Sequence, residues 1–438
     1  MVWIELIVFL GAIAIGARLG GIGLGFAGGL GVILLAILGV KPGDMPLDVI
    51  VIMMAVITAA STMHAAGGMD YLVHLTGKLL RRYPRRISYL APGVTWLLSC
   101  TSGTAMSSFA VLPVIKEVAQ ENGIRPARPL SLASISSMVA VCASPVSAAV
   151  VYFGSLLDET NTGIDYLQIL MITMPSTFIA IMVTAFIMLQ VDKARGTATL
   201  SSMAGWAERK ASLDTSSAIS PDYAPTKEAR RSVLLFGLAL IGVVVYSVLV
   251  SDVVGLVSEP VMERDQVIVA AMLFVSAAIV VFAKADVEKI LHTSTFRSGG
   301  STYICTLGLA WMGNTFISAN KDLVLENAGS TLTAHPWLLA LILIIACTLL
   351  FSQAVTTRAL MPLALTLVPA SSAVGAFPAV AGMFILPTYA TVLGSLGIDD
   401  TGSTRVGKFV VNHPFLVPGA INMTILLTIS FSLAGILL

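Results

Sequence analysis

Two apolar stretches constrain this chain more than any other feature, because each is too long for one ordinary membrane span and is broken by polar residues near its middle. The first stretch, 87–115, is broken at Ser102-Gly103-Thr104, and the second, 336–371, at Ser352-Gln353-Ala354. Each arm has about 15 residues, whereas a helix needs about 20 to cross a bilayer. Lipid tolerates irregular backbone only where protein or water satisfies its polar groups. We therefore predict two re-entrant hairpins.

The composition sets the class of protein. The chain is 56% hydrophobic and 11% charged, whereas an ordinary soluble domain is about 25% charged, so it is predicted to be a helical protein that crosses the membrane many times. A net charge of +1 gives no basis for binding nucleic acid. The four cysteines form no CxxC pair and the five histidines do not cluster, so we predict neither a metal site nor a cofactor.

The other apolar runs predict ten full spans in two halves. The first half is 1–191, the second is 232–438, and the basic segment 192–231 reads as a cytoplasmic linker. Lys and Arg gather in 67–86, which marks a cytoplasmic loop, while the acidic segment 154–164 faces out. Counting spans from these loops places both termini in the periplasm. Five spans and one hairpin per half force the halves into opposite orientations, the inverted-repeat plan of many secondary transporters.

Features that recur in the same order support the two repeats. Each hairpin is followed by a span that a proline interrupts, at Ser144-Pro145 in the first half and at Leu386-Pro387 in the second. A Gly-Ser-Leu string follows each proline, at 154–156 and 394–396. A proline inside a span removes one backbone hydrogen bond and frees nearby polar groups. The two broken spans are therefore expected to line the same site as the hairpin tips.

Small hydroxyl residues surround these breaks and predict an anion site. A half-helix that starts inside the membrane presents unpaired N–H groups and about half a positive charge. The candidate residues of the first half are Ser102, Gly103, Thr104, Ser107, Ser144 and Ser147. Those of the second half are Ser352, Gln353, Thr356, Thr388 and Thr391. Two tips that face each other suit a ligand with two carboxylates.

Two further residues of the second half are candidates for the site. Arg358 lies in an apolar arm, where a charge costs about 2.5–3.5 kcal/mol or more and needs a partner. A bound carboxylate would be one; an internal ion pair, or a side chain that reaches the outer surface, is the alternative. Asn314, near the end of a span, could bond substrate or tie two helices together. By contrast, Asp399, in a short loop with Asp400, Arg405 and Lys408, is expected in a solvated turn.

Four longer strings carry a family resemblance. They are GARLGGIG at 16–23, AGGMDYLV at 66–73, ASPVSAA at 143–149 and DDTGSTRVGKF at 399–409. They resemble the Dcu family of bacterial anaerobic C4-dicarboxylate transporters, over essentially the whole chain. The resemblance implies antiport of fumarate, malate or aspartate against succinate across the inner membrane. It also implies membership of the ion-transporter superfamily, with an elevator-type transport part and a homodimer.

The resemblance also bears on the site and on partners. Dicarboxylate carriers of that superfamily hold carboxylates at Ser-Asn-Thr tips; here Ser102, Thr104 and Ser352 match, and Gly103 and Gln353 replace the middle residue. Some relatives are thought to regulate a membrane sensor kinase, which makes such a kinase a possible partner. Carriage of another organic anion with sodium or protons is the alternative function. An intramembrane enzyme is disfavoured because the chain has no HExxH motif and no recognisable nucleophile–base pair.

Overall fold

The computed structural model describes the chain except residues 1, 20–21, 46, 161, 204–205, 207–223, 251–256, 258–260, 263, 294, 298–299, 301–302, 305–306, 309–310, 317, 321–330, 333, 351, 386–388, 400 and 405–411. The described part is helical, with one isolated β-bridge between Ile124 and Thr199, which confirms the expected all-α class. The first half contains α1 (Val2–Leu19), α2 (Gly23–Ile37), α3 (Leu47–Ala65), α4 (Gly68–Arg82), α5 (Ile87–Ser102), α6 (Leu112–Glu121), α7 (Ala127–Val141), α8 (Ala148–Glu159) and α9 (Tyr166–Ala194).

The second half contains the remaining helices, which are α10 (Lys227–Val250), α11 (Arg264–Phe282), α12 (Val287–His292), α13 (Leu338–Leu350), α14 (Gln353–Leu367), α15 (Ala370–Ala376), α16 (Ala390–Ile398) and α17 (Leu416–Leu437). Short 3-10 helices lie at Pro84–Arg86, Ala105–Ala110, Leu200–Ser202 and Phe377–Ala381. Among the described residues, α9 (29 residues) and α17 (22 residues) are each apolar and long enough to cross a membrane unbroken. The total of ten spans stays a prediction.

Breaks divide several of the long apolar runs into half-helices. Helix α5 ends at Ser102, and Gly103 follows with a φ of +70°, the left-handed conformation that glycine adopts without strain. Helix α7 ends at Val141 and α8 begins at Ala148, on either side of Pro145. Helix α13 ends at Leu350, and α14 begins at Gln353. The polar residues of each break are therefore held between apolar helices.

The helices pack around several buried apolar clusters. The largest buried cluster joins α7, α8 and α9 of the first half to α13, α14, α15 and α17 of the second. A second cluster joins α3 to α10 and α11, and a third packs α1 and α2 against residues 311–316 and the start of α14. The main core is thus built jointly by both halves. Large apolar side chains such as Trp3 and Phe274, 78% and 75% exposed, lie outside these clusters, as expected of surfaces that face lipid.

Helix α4 is the amphipathic segment near the basic loop. It leaves α3 through a bend of 69°, where Gly67 adopts a φ of +80°. Its Leu72 contacts both the α3/α10/α11 cluster and the cluster around α6. Arg81 near its end forms salt bridges with Glu117 and Glu121 of α6, at 3.1 and 3.2 Å. Helix α4 therefore connects the α3/α10/α11 group to the outgoing arm of the first hairpin.

The expected solvated turn after α16 is wrong for Asp399. Its side chain is 6% exposed and accepts hydrogen bonds from the loop that follows. Thr401 and Thr404 each donate both a backbone N–H and a hydroxyl, and Ser403 donates its hydroxyl at 2.6 Å. Ser403 also accepts from the backbone N–H of Ala127, so the carboxylate organises a loop that caps the start of α7. The neighbouring Asp400, Arg405 and Lys408 lie outside the described residues.

Candidate functional site

The first tip packs directly on the first broken span. A Cβ atom added to Gly103 would lie 2.9 Å from the carbonyl oxygen of Val146 and 3.3 Å from the backbone nitrogen of Ser147. Both the positive φ and this close approach therefore require glycine, which explains why the tip differs from the Ser-Asn-Thr pattern at this position. The contact places the tip against the start of α8.

The hydroxyl groups of the first tip bond mainly to the tip itself. Thr104 caps the 3-10 helix at Ala105–Ala110 by accepting the N–H of Met106 at 3.2 Å. Ser102 and Ser107 both donate to the carbonyl oxygen of Thr104, at 3.3 and 3.0 Å. Ser102 is 9% exposed and Ser107 is 6% exposed. These side-chain bonds fix the shape of the tip where the helix, and with it the regular backbone hydrogen bonding, is interrupted.

The first broken span is held open by its own side chains. Ser144 accepts the N–H of Val146 at 3.3 Å, and Ser147 caps α8 by accepting the N–H of Val150 at 3.2 Å. The hydroxyl of Tyr166, on α9, donates to the carbonyl oxygen of Pro145. The break is therefore a defined turn whose end is the amino terminus of α8, where the helix dipole favours an anion.

The second tip is organised differently. Ser352 caps α14 by accepting the N–H of Val355 at 3.3 Å, and the hydroxyl of Thr356 donates back to the carbonyl oxygen of Ser352 at 2.8 Å. Gln353 reaches across to the other half of the chain, where its Nε2 donates to the carbonyl oxygen of Met138 at 2.6 Å. That carbonyl lies in the last turn of α7, where helix carbonyls lack partners within the helix. Gln353 therefore joins the second tip to the end of α7.

Arg358 is the one arginine among the largest fully buried side chains of the described chain, with an exposed fraction of 0%. This burial excludes the alternative in which its side chain reaches the outer surface. Its guanidinium carbon lies 5.4 Å from the ring centre of Tyr152, a half-buried residue of α8. An arginine over an aromatic face gains electrostatic stabilisation, and a guanidinium is able to form two parallel hydrogen bonds with a carboxylate.

The first two turns of α8 thus connect both tips. Gly103 contacts the Val146–Ser147 end, and Arg358 contacts Tyr152, which is five residues or about 7.5 Å further along the helix axis. Helices α8 and α14 pack on each other along this stretch. The structure therefore brings the first tip, the first broken span and Arg358 together around the start of one helix.

Two further predicted site residues are Asn314 and Thr388. Asn314 donates from Nδ2 to the carbonyl oxygen of Asp44 at 3.1 Å, so it ties residues 311–316 to the segment after α2. Its neighbour Gly313 packs near the backbone of Ala359. Thr388 lies outside the described residues.

Sequence reasoning did not single out Tyr152 or the carbonyl oxygen of Met138. Tyr152 lies four residues before Leu156 on an apolar helix, where an aromatic residue reads as packing. The carbonyl of Met138 carries no sequence signal at all. The position of Ser147 as a helix cap was the available clue, since it fixes where α8 begins and therefore which face Tyr152 occupies.

Comparison with known proteins shows the family to which the chain belongs. The family model described as "Anaerobic c4-dicarboxylate membrane transporter" matches residues 1–438. The chain is 47% identical over 439 residues to the C4-dicarboxylate transporter DcuA of Escherichia coli K12, covering all of both proteins. It is 33% identical over 431 residues to the anaerobic C4-dicarboxylate transporter DcuB of Escherichia coli O6:H1, covering 96% of each.

A solved structure shares the fold. The chain aligns with the YdaH transporter of Alcanivorax borkumensis at a TM-score of 0.54, with 16% identity, over 87% of this chain and 84% of that one. At this identity the likeness concerns the fold alone. The family match spans the entire chain and confirms the resemblance found in the sequence. The similar proteins are transporters and not enzymes. The chain is a membrane protein that belongs to the DcuA and DcuB family.

Proposed function

We propose that this protein is a secondary transporter that exchanges C4-dicarboxylates across the bacterial inner membrane, taking up fumarate, malate or aspartate and releasing succinate. The family and the names of the relatives support the substrate class. Within the chain, the observation that carries the proposal is Arg358, a fully buried cation that lies beside α8. A guanidinium can bind a carboxylate through two parallel hydrogen bonds, so Arg358 supplies a binding group for one end of a dicarboxylate.

The site is proposed to consist of both tips and the first broken span. Arg358 binds one carboxylate, and the amino-terminal ends of α8 and α14 contribute N–H groups and positive dipole ends. The other residues assigned to the site are Ser102, Gly103, Thr104, Ser107, Ser144, Ser147, Asn314, Ser352, Gln353, Thr356 and Thr388. Most of their described hydroxyl bonds are local, so their role is to shape the tips around the ligand.

Transport is proposed to follow an elevator mechanism between two inverted repeats, 1–191 and 232–438. The main cluster, which holds both tips, would move as one body against α3, α10 and α11. Exchange follows if the empty site reorients slowly and the loaded site reorients quickly, because one-way transport would require the empty site to return. The resemblance further supports a homodimer and a membrane sensor kinase as a partner, and the count of spans from the basic loops supports both termini in the periplasm.

Counterflow in proteoliposomes tests this function. Vesicles loaded with succinate should accumulate labelled fumarate or aspartate, and vesicles without an internal dicarboxylate should not. Arg358→Ala should abolish the accumulation, while Arg82→Ala, which removes an exposed arginine, should not. Uptake into empty vesicles that requires a sodium or proton gradient would instead support the coupled uptake carrier. No dicarboxylate uptake under any of these conditions would refute the proposal.

A further inference from the structure

Helix α16 follows Pro387 in the sequence, and its contacts with α7 show how the two helices are oriented. Ser134 of α7 donates to the carbonyl oxygen of Thr391 at 3.1 Å and bonds the hydroxyl of Ser395 at 2.6 Å. Further along, the loop after α16 reaches Ala127 at the start of α7 through Ser403. The chain therefore runs from the level of Ser134 toward the start of α7, and the amino terminus of α16 points toward the end of α7.

That end of α7 is where the other parts of the site meet. Met138, which accepts the bond from Gln353, lies one turn beyond Ser134 on the same face of α7. On its other side α16 packs against residues 105–110, so that a Cβ on Gly394 would overlap the ring of Phe109. The amino terminus of α16 is thus adjacent to the second tip and to the segment that follows the first.

Among the described residues, the side chain that precedes α16 does not cap it. Tyr389 precedes α16 in an extended conformation and provides no hydrogen bond from its side chain to the first turn. The first N–H groups of any helix have no partner within that helix, so those of α16 are available to a ligand.

Thr391, the second residue of α16, supplies an independent observation. Its side chain is 0% exposed, and its hydroxyl has no hydrogen-bond partner in the part of the chain that the structure describes. By contrast, the described hydroxyls of Ser102, Thr104 and Ser352 all have partners. Side chains in a helix lean toward its amino terminus, so this hydroxyl is directed to the same end as the free N–H groups. Buried polar groups are nearly always bonded, and one without a partner points to a missing ligand.

We propose that the amino terminus of α16 and the hydroxyl of Thr391 form a carboxylate subsite, which binds the substrate carboxylate that Arg358 does not hold. This inference rests on the proposed function and assigns the residue that discriminates dicarboxylates from monocarboxylates. The hydroxyl and the N–H groups at the positive end of the helix dipole can bind the second carboxylate of a dicarboxylate. They form no favourable interaction with the apolar end of a monocarboxylate.

Removal of the hydroxyl separates this role from a structural one. Thr391→Val keeps the shape of the side chain, and Thr391→Ser keeps the hydroxyl. Thr173→Val is the matched control, because the Thr173 hydroxyl is also buried without a partner among described residues but lies within the continuous helix α9. Binding of succinate and of butyrate to purified protein, together with the melting temperature without ligand, are the measurements.

The two valine variants should behave differently. Loss of an unpartnered buried hydroxyl should leave the melting temperature of both variants unchanged or raised. Succinate affinity should fall roughly tenfold to a hundredfold in Thr391→Val, since a hydrogen bond to a charged group is lost, and stay unchanged in Thr173→Val. Butyrate affinity should stay the same, and Thr391→Ser should recover most of the succinate affinity.

Wild-type succinate affinity in Thr391→Val would overturn the subsite, as would an equal loss for succinate and butyrate. These outcomes leave the proposed function intact as long as the wild-type protein binds and exchanges dicarboxylates. If the wild-type protein binds no dicarboxylate, the proposed function fails first and the subsite fails with it.

Discussion

The two hairpin tips have related positions in the sequence but are built by different means. The first is shaped by backbone: Gly103 adopts a positive φ against the carbonyl of Val146, and the nearby hydroxyls bond within the tip. The second is shaped by side chains that reach outward, with Gln353 bonded to α7 and Arg358 packed on Tyr152. The backbone therefore sets the shape of the first tip, whereas the second tip depends on side chains that contact other helices.

The largest expected effect concerns the charge of the second tip. Arg358→Ala should weaken succinate binding about a hundredfold or more, because truncation of one partner of a buried charge pair costs about 2–5 kcal/mol. Arg358→Lys should recover part of the affinity, since lysine keeps the charge but not the two parallel hydrogen bonds. Calorimetric titration of both variants is the measurement, and wild-type affinity in Arg358→Ala would remove this residue from the site.

The next effect concerns the backbone of the first tip. Gly103→Ala should lower the free energy of unfolding by about 2 kcal/mol or more, because a Cβ both strains the positive φ and meets a carbonyl oxygen. Gly163→Ala is the matched control, since Gly163 has a φ of +73° but open space around its Cβ position. Its free energy of unfolding should fall only by the cost of the strained φ. Equal losses for the two variants, measured by denaturant unfolding, would show that the contact with Val146 contributes nothing.

The bridge between the second tip and α7 should have a smaller effect. Gln353→Leu leaves the carbonyl of Met138 without its donor and should cost about 1–3 kcal/mol of stability. Gln190→Leu, on the exposed face of α9, should cost nothing measurable. If the thermal stability of Gln353→Leu matches that of wild type, the tip does not depend on this bond.

The smallest effect concerns the aromatic support of Arg358. Tyr152→Leu should weaken succinate binding about threefold to tenfold, because a cation–π contact contributes about 0.5–2 kcal/mol. Tyr152→Phe keeps the ring and should stay within about twofold of wild type. A loss in Tyr152→Phe as large as that in Tyr152→Leu would show that the hydroxyl matters and the ring does not.

The sequence predicts the breaks better than the contacts between them. Ser102 and Ser352 are recognisable because polar residues interrupt apolar runs of known required length. The contact of Arg358 with Tyr152 joins residues far apart in the chain, and its existence depends on how α8 and α14 pack. Gln353 binds a backbone carbonyl, which no sequence pattern reveals.

Asp399 was misplaced for a related reason. A charged residue in a short loop is usually solvated, but here the hydroxyls of Thr401, Ser403 and Thr404 surround it. Short polar side chains that follow an aspartate can bond it locally, so the Thr and Ser residues after Asp399 are a sequence signal for its burial.

The central claim is that tips from both halves bind one doubly charged ligand, and substrate protection tests it most directly. Single cysteines at positions 102 and 352, in a background whose four native cysteines are replaced, would be labelled with a small thiol reagent at increasing succinate concentration. The account predicts that succinate protects both positions with the same half-maximal concentration and that butyrate protects neither. Protection at one position alone, or with clearly different half-maximal concentrations, would contradict a shared site.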